Sequence, residues 1–238
     1  MDTVHTELRG NRLLALLDDA ALRAIAPLLQ PVALALREDL YQEQAPMRHA
    51  WFPTDGVLSM LGSAAAETDV EVATIGSEGM LGAGLLLGAE LSFGRAFVQV
   101  EGTGWRMEAA DLRSTVVAQP PFGRVLHRYA NALLVQIAQG AACNRAHAVE
   151  QRCARWLLQT HDRVRGDEFE LTQEFLAQML GERLATVNQV AASLQKRGLI
   201  QYTRGRIQVT DREGLEAAAC RCYGFVRTEY GRMLSPPA

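Results

Sequence analysis

The strongest constraint on this chain is a change of pattern at Pro120 and Pro121. Before it, residues 31–112 form short apolar or alternating segments separated by Gly, Pro and Asp. Such segments predict antiparallel strands in a sandwich or barrel, and we interpret the region as a β-roll. Residues 11–29 carry apolar side chains at helical spacing and predict one short amphipathic helix. Residues 122–164 contain no proline and predict long helices, so the chain is expected to belong to the α+β class.

Composition places the chain among ordinary globular proteins, with 238 residues, 48% hydrophobic and 21% charged. No apolar run approaches the ~20 residues that a membrane helix needs, so no membrane association is expected. The N-terminal sequence MDTVHTELRG lacks the pattern of a signal peptide. Four cysteines are too few for the disulfide framework of a secreted protein of this size. These features predict a cytoplasmic protein with free thiols.

The proline-free run carries a heptad seam, in which apolar or small residues alternate at spacings of four and three and continue to Asn144 and His147. The predicted seam consists of Leu126, Ala130, Leu133, Ile137 and Gly140. Such a seam predicts a helix that pairs with its copy in a homodimer. Packing of this helix on its own β-roll is the alternative. A break between Asn144 and Ala148 is expected to begin a second domain.

Residues 171–199, LTQEFLAQMLGERLATVNQVAASLQKRGL, have the pattern of two helices joined by a tight turn. Ala177 supplies the small residue where the helices cross, and Gly181 lies at the turn four residues later. Thr172 precedes the first helix as its N-cap. Apolar contacts between the helices are expected from Leu176, Leu180, Val187, Val190 and Leu194. The pattern predicts a helix-turn-helix, with a hairpin used only for packing as the alternative.

Two short strand patterns around the basic turn Thr203–Arg206 follow, which is typical of a wing. Residues 183–210 contain five cations and no acid, although the whole chain has a net charge of −3. This local charge predicts a surface that faces a polyanion, and a helix-turn-helix with a basic wing predicts binding to double-stranded DNA.

The second helix, residues 184–197, is expected to enter the major groove with its N-terminal end first. The residues able to reach base edges are Arg183, Leu184, Ala185, Asn188 and Gln189. Arginine suits guanine, whereas asparagine and glutamine suit adenine, because each can make two hydrogen bonds in the plane of the base. Phosphate contacts, which set the register but not the sequence preference, are expected from Thr172, Thr186, Lys196, Arg204 and Arg206.

The chain as a whole resembles the Crp/Fnr family of bacterial transcription regulators. Its segment from Thr172 through Gly181 to Val187 is similar to the family's helix-turn-helix, and HAWFPTDGVLSML, residues 49–61, is similar to a β-roll stretch common in the family. The resemblance implies a cyclic-nucleotide-binding-like β-roll over 1–119, a dimerisation helix over 120–147 and a winged helix over 148–238. It also implies a homodimer that binds an inverted-repeat operator, with RNA polymerase as a candidate partner.

The chain departs from the family at two places. Arg183, Leu184, Ala185 and Gln189 replace the residues that begin the recognition helix of the cyclic AMP receptor, so its DNA preference does not carry over. In cyclic-nucleotide-binding rolls a Gly-Glu pair holds the ribose and an Arg-Ser or Arg-Thr pair holds the phosphate. The corresponding residues here, an effector pocket implied by the resemblance, are Gly82, Ala83, Arg95 and Ala96. Without the glutamate and the hydroxyl, we expect no ordinary binding of cyclic AMP, and the effector is unknown.

The spacing of the cysteines does not predict a metal or redox site. An FNR-type iron–sulfur cluster needs three thiolates near the N-terminus, and no cysteine precedes Cys143. Cys143 and His147 share a helix face, but Cys220 and Cys222 are about seventy residues away in sequence, so inert thiols and no metal are expected. A thiol- or metal-based sensor is an alternative, as is a small-molecule sensor whose winged helix binds a protein. No catalytic motif is recognised, and the chain is not expected to be an enzyme.

Overall fold

The computed structural model describes residues 2–63 and 69–235 and contains the β-roll that the sequence predicts. Its strands are β1 (Gln30–Leu34), β2 (Asp39–Tyr41), β3 (His49–Pro53), β4 (Val57–Ser63), β5 (Asp69–Ile75), β6 (Ala96–Val100) and β7 (Gly102–Glu108). The strands pair antiparallel in two sheets, ordered β1-β7-β3 and β2-β6-β4-β5. Phe52 lies opposite Trp105 in the first sheet, and both are buried in the roll.

The N-terminal segment contains several short helices, so the single helix predicted over 11–29 is wrong. Helices α1 (Asp2–Leu8) and α2 (Asp19–Ile25) are separated by a short 3-10 turn, Leu14–Leu16. The Asp18 carboxylate accepts a hydrogen bond from the backbone amide of Ala21 at 2.7 Å. Because this bond caps a new helix, it divides the apolar pattern in two.

A helical layer connects the roll to the C-terminal part of the chain. It consists of α3 (Ala109–Ala118), α4 (Pro120–Ala146) and α5 (Val149–His161). The interruption between α4 and α5 falls inside the segment where the sequence predicts a break, and His147 there has extended backbone angles. At 27 residues, α4 is about 40 Å long, since each helical residue rises by about 1.5 Å.

The C-terminal part contains the predicted helix-turn-helix and wing. Its elements are β8 (Glu168–Glu170), α6 (Gln173–Leu180), α7 (Leu184–Lys196), β9 (Ile200–Thr203), β10 (Arg206–Val209), α8 (Arg212–Ala218) and α9 (Cys222–Leu234). Strand β10 pairs antiparallel with both β8 and β9, so the predicted two-stranded wing has a third strand.

Helix α9 leaves the winged helix and packs along α4 in the antiparallel direction. The Tyr230 hydroxyl donates to Gln136 Oε1 at 2.7 Å, and Arg128 donates to the carbonyls of Arg232 and Ser235, each at 2.8 Å. The apolar side of α9 joins the hydrophobic core of the roll and α4, whereas the helices of the winged helix share a second core with Leu61 and Phe97 of the roll. Thus α9 follows the winged helix in sequence but belongs to the N-terminal core.

None of the described helices combines the length and apolar character needed to cross a membrane.

Candidate nucleic-acid interface

The helix-turn-helix is formed by α6 and α7 around Gly181. The Thr172 hydroxyl accepts a hydrogen bond from the Phe175 amide at 3.2 Å, which confirms it as the N-cap of α6. Gly181 ends α6 in the left-handed conformation, with φ of 62°, where any other residue would be strained. Ala177 and Val187 are buried between the helices, so these contacts fix the direction of α7.

Arg152 of α5 supports the turn from its buried side, a role that sequence reasoning missed. Its side chain is 7% exposed, and Nη1 donates to the carbonyl of Leu180, the last residue of α6, at 3.1 Å. The guanidinium also forms an ion pair with Glu182 in the turn. A cation is favourable beside the free carbonyls at the end of a helix.

The N-terminal half of α7 points into solvent. All five residues expected to contact bases are exposed, namely Arg183, Leu184, Ala185, Asn188 and Gln189. Thr186, which is expected to contact a phosphate, is partly buried. Leu184 is 39% exposed, although leucine is usually buried. An exposed apolar side chain beside planar hydrogen-bonding groups suits the major groove, where a thymine methyl lies next to polar base edges.

The wing turn lies beside the start of α6. Arg204 and Gly205 have positive φ angles of 51° and 79°, as a tight hairpin turn requires at both central positions. The Leu171 amide donates to the Gly205 carbonyl at 2.8 Å, which fastens the wing to the helix-turn-helix. Arg204 itself is exposed at the tip. The wing and α7 therefore flank one groove, lined by residues that include Thr172 and Asn188.

The five cations of residues 183–210 differ in their partners. Arg197 pairs with Glu150 at 2.7 Å, and Arg206 pairs with Glu168 at 2.8 Å and Glu170 at 3.7 Å. Within residues 2–63 and 69–235, no ion pair is formed by the other three, Arg183, Lys196 and Arg204. Acids from α5 and β8 thus reduce the local charge that the sequence predicts. Exposed pairs of this kind are weak, so a phosphate could replace either glutamate of Arg206.

Comparison with known proteins identifies this arrangement. Residues 151–218, which extend from α5 to α8, match the model of the Crp-like helix-turn-helix domain. The structure of FixK2 from Bradyrhizobium japonicum superposes with a TM-score of 0.69 at 15% identity, covering 81% of this chain and 98% of that one. The chain has the architecture of a Crp/Fnr regulator. No curated protein sequence matches it significantly.

Two further solved structures have the same Crp/Fnr fold. A putative transcriptional regulator of the family from Eubacterium rectale has a TM-score of 0.66 at 15% identity, and covers 87% of this chain and 96% of that one. CLP, a c-di-GMP responsive global regulator of Xanthomonas campestris, has a TM-score of 0.63 at 16% identity, and covers 81% of this chain and 99% of that one. At these identities the comparison establishes the fold alone.

The predicted dimer seam lies inside the protomer, so its assignment to a dimer interface is wrong. Leu126, Ala130 and Leu133 are buried in the core of the roll, Ile137 is partly buried against it, and Gly140 faces the backbone of β5. The exposed stripe of α4 lies one residue further along: Arg124, His127, Asn131, Leu134, Ala138, Ala141 and Arg145. The physical reason is that α4 carries two neighbouring stripes, and the more apolar one is buried against its own chain.

The residues that correspond to the nucleotide pocket do not form an anion site in this structure. Arg95 Nε donates to Asp39 at 2.7 Å, and its guanidinium lies 4.9 Å from the centre of the Phe97 ring. Its charge is therefore neutralised by a carboxylate. Next to Gly82 the Tyr41 hydroxyl lies so close that a Cβ on the glycine would be 2.6 Å from it. Ala83 and Ala96 are buried and supply no polar side-chain atom.

The winged helix contacts the roll through a buried carboxylate on β5. Trp156 Nε1 of α5 donates to Glu71 Oε1 at 2.5 Å, and the Ser59 hydroxyl of β4 donates to Glu71 Oε2 at 2.6 Å. Burial raises the pKa of Glu71 to about 7, because the two hydrogen bonds offset only part of the cost of burying the charge. A second contact joins Arg163, just after α5, to Glu78 of the roll at 2.8 Å. The winged helix and the roll are thus joined by hydrogen-bonded and charged side chains.

Three of the four cysteines lie together, against the expectation from their spacing. Cys143 and His147, at the end of α4, meet Cys220 and Cys222, at the start of α9. Their ligand atoms all lie within 4.8 Å of one another. The return of α9 to α4 brings the two pairs together. Cys153 is buried in α5, among the residues of the second core.

Proposed function

We propose that this chain is a homodimeric, sequence-specific DNA-binding transcription regulator of the Crp/Fnr type. The observation that carries the proposal is the exposed face at the N-terminus of α7, where Arg183, Asn188 and Gln189 stand in solvent beside the wing. Two further unpaired cations, Lys196 and Arg204, extend the surface toward the positions of phosphates. A regulator of this type acts in the cytoplasm, where the bacterial chromosome lies.

We propose that dimers form through the exposed stripe of α4. Its members alternate at spacings of three and four, which is the pattern of a two-helix seam. Leu134 is 55% exposed at its centre, and Ala138 and Ala141 would allow a second α4 to approach closely. Dimerisation here leaves α7 exposed in each subunit, so two recognition helices can bind half-sites about one helical turn, roughly 34 Å, apart.

We further propose that the roll does not respond to cyclic AMP. A bound cyclic nucleotide needs partners for its phosphate and its ribose hydroxyl, and an unpartnered polar group costs about 1–3 kcal/mol, more for a charge. Arg95 would have to leave Asp39 to bind a phosphate. The alanines at positions 83 and 96 provide no substitute donor or acceptor.

The decisive experiment is selection from a random pool of double-stranded DNA by the purified full-length chain. We expect an inverted repeat whose half-sites are one or two helical turns apart, with affinity that falls as salt rises. Recovery of unrelated sequences, with no repeat and no preference over competitor DNA, would contradict the proposal and favour a winged helix that binds a protein.

The cyclic AMP proposal has its own test, isothermal titration of the chain with cyclic AMP. We expect no saturable binding at micromolar concentrations, since the loss of two contacts weakens a ligand by about a hundredfold. Saturable binding below about 10 μM would show that Arg95 exchanges partners at little cost.

A further inference from the structure

The residues at the junction of α4 and α9 have the identity and geometry of a metal site. Cys143 lies in the last turn of α4, and His147 directly follows the helix with its ring turned toward Cys222. Cys220 precedes α9, and Cys222 is its first residue. Two segments far apart in sequence therefore supply two ligands each.

The measured separations agree with tetrahedral coordination. With Zn–S bonds of about 2.3 Å and Zn–N bonds of about 2.0–2.1 Å, a tetrahedron has edges of about 3.8 Å between sulfurs and about 3.5 Å between sulfur and nitrogen. Cys143 Sγ lies 3.4 Å from Cys220 Sγ, and Cys222 Sγ lies 3.5 Å from His147 Nδ1. With every ligand pair within 4.8 Å, small side-chain rotations would complete the tetrahedron.

The surroundings support charged sulfur ligands. Cys143, Cys220 and Cys222 are nearly inaccessible, at 0%, 4% and 1% exposure, and His147 is partly exposed, so the three cysteines are shielded from solvent. Gln139 Nε2 donates to Cys222 Sγ at 3.1 Å, as outer-shell groups do toward metal-bound thiolates.

We propose that Cys143, His147, Cys220 and Cys222 bind one Zn²⁺ in a closed, four-coordinate site. Three thiolates and one imidazole are a characteristic donor set of structural zinc, and the absence of an open position excludes a catalytic role for it. Binding converts three thiols to thiolates and releases their protons, which leaves the site with one negative charge near Arg155.

The proposed site has a definite place in the architecture. All four ligands lie outside residues 151–218, the segment that matches the Crp-like domain. The metal would join the end of α4 to the start of α9, and so close the loop that contains the whole winged helix. The site is therefore an addition to the DNA-binding domain, and it does not depend on what that domain binds.

The test is the metal content of the full-length chain, purified under reducing conditions without metal-affinity steps. We expect about one zinc per chain by elemental mass spectrometry. Cys143→Ser and Cys222→Ser should lose the metal, whereas Cys153→Ser, a change at a buried cysteine outside the cluster, should retain it. Gln139→Leu should keep the site but weaken its zinc affinity by roughly tenfold.

A second measurement avoids the risk that cysteine variants fail to fold. The wild-type chain, stripped by a chelator, should bind about one equivalent of Co²⁺ and develop the visible bands of tetrahedral cobalt with thiolate charge-transfer absorption. The proposal is overturned by a chain that binds neither zinc nor cobalt, by equal metal loss in Cys153→Ser, or by iron as the resident metal. A Cys143–Cys220 disulfide in anaerobically purified protein would overturn it as well.

Discussion

Replacing Glu71 by glutamine should stabilise the protein at neutral and alkaline pH. In the folded chain burial raises the pKa of Glu71 from 4.5 to about 7. The folded state therefore binds a proton more tightly than the unfolded state does. Below about pH 4.5 the Glu71 carboxyl is protonated in both the folded and the unfolded chain, so its burial does not lower the free energy of unfolding. As the pH rises toward 7 the folded chain loses stability, because the unfolded chain releases this proton first.

The size of the effect follows from the shift. A difference of about 2.5 pKa units corresponds to roughly 3 kcal/mol. This value is an upper limit for the decrease in the free energy of unfolding above pH 7. Glutamine resembles the protonated carboxyl, since its oxygen can accept from Trp156 and its amide can donate to Ser59. Glu71→Gln should therefore remove the loss while preserving the contact between β5 and α5.

The assay is urea unfolding of the wild type and Glu71→Gln between pH 5 and pH 8, with Glu90→Gln, at an exposed carboxylate of the roll, as the matched control. The difference between Glu71→Gln and wild type should grow with pH and level off above about pH 7, whereas Glu90→Gln should follow the wild type. Parallel stability curves for Glu71→Gln and wild type would refute the reasoning, and so would a variant less stable than wild type at pH 8.

Four further predictions concern the DNA surface, the dimer and the core. Arg183→Ala should weaken the free energy of DNA binding by roughly 1–3 kcal/mol at the preferred site and relax base choice in a selection experiment. Arg197→Ala, which removes a cation at the end of the same helix that is already paired with Glu150, should leave the base preference intact. Arg204→Ala should weaken binding on all sequences and reduce the slope of log affinity against log salt by about one; a changed base preference would contradict its role at a phosphate. Leu134→Glu should give folded monomers in light scattering, and a dimer that persists would exclude the α4 stripe as the interface. Arg152→Leu should lower the free energy of unfolding by roughly 1–3 kcal/mol, because it leaves the Leu180 carbonyl and the partly exposed Glu182 carboxylate without their buried partner. An unchanged value would show that the ion pair does not hold the turn.

The elements that the sequence predicts best are those defined by local rules. The cap at Thr172, the left-handed turn at Gly181 and the basic turn at Arg204 each depend on a few adjacent residues, so their chemistry is visible in the linear pattern. The strands of the roll were recognisable for the same reason. In contrast, the predicted helix over 11–29 failed because one aspartate, Asp18, caps a new helix inside an apolar run.

Features that depend on the three-dimensional arrangement were not accessible from one sequence. The α4 helix carries two stripes one residue apart, and the sequence alone does not show whether the more apolar one packs on its own roll or on a second copy. Arg152 has no partner in the adjacent sequence, since Leu180 and Glu182 reach it only after the chain has folded back. The convergence of Cys143 with Cys220 likewise requires α9 to return along α4, a path that no spacing rule encodes.

That return path determines how the DNA-binding domain can move. The chain enters the domain at Ala148 and leaves it at Ala219, and both points lie at the same end of the α4–α9 pair. A domain attached at two adjacent points can turn mainly about the line between them, and here such a rotation would first have to open the core that the domain shares with Leu61 and Phe97 of the roll. In a dimer, such a rotation changes the separation of the two recognition helices along the DNA. A signal that regulates such a dimer would therefore have to set one angle, that between the DNA-binding domain and the α4–α9 pair. This angle decides whether the separation of the two recognition helices matches the spacing of the half-sites in an operator.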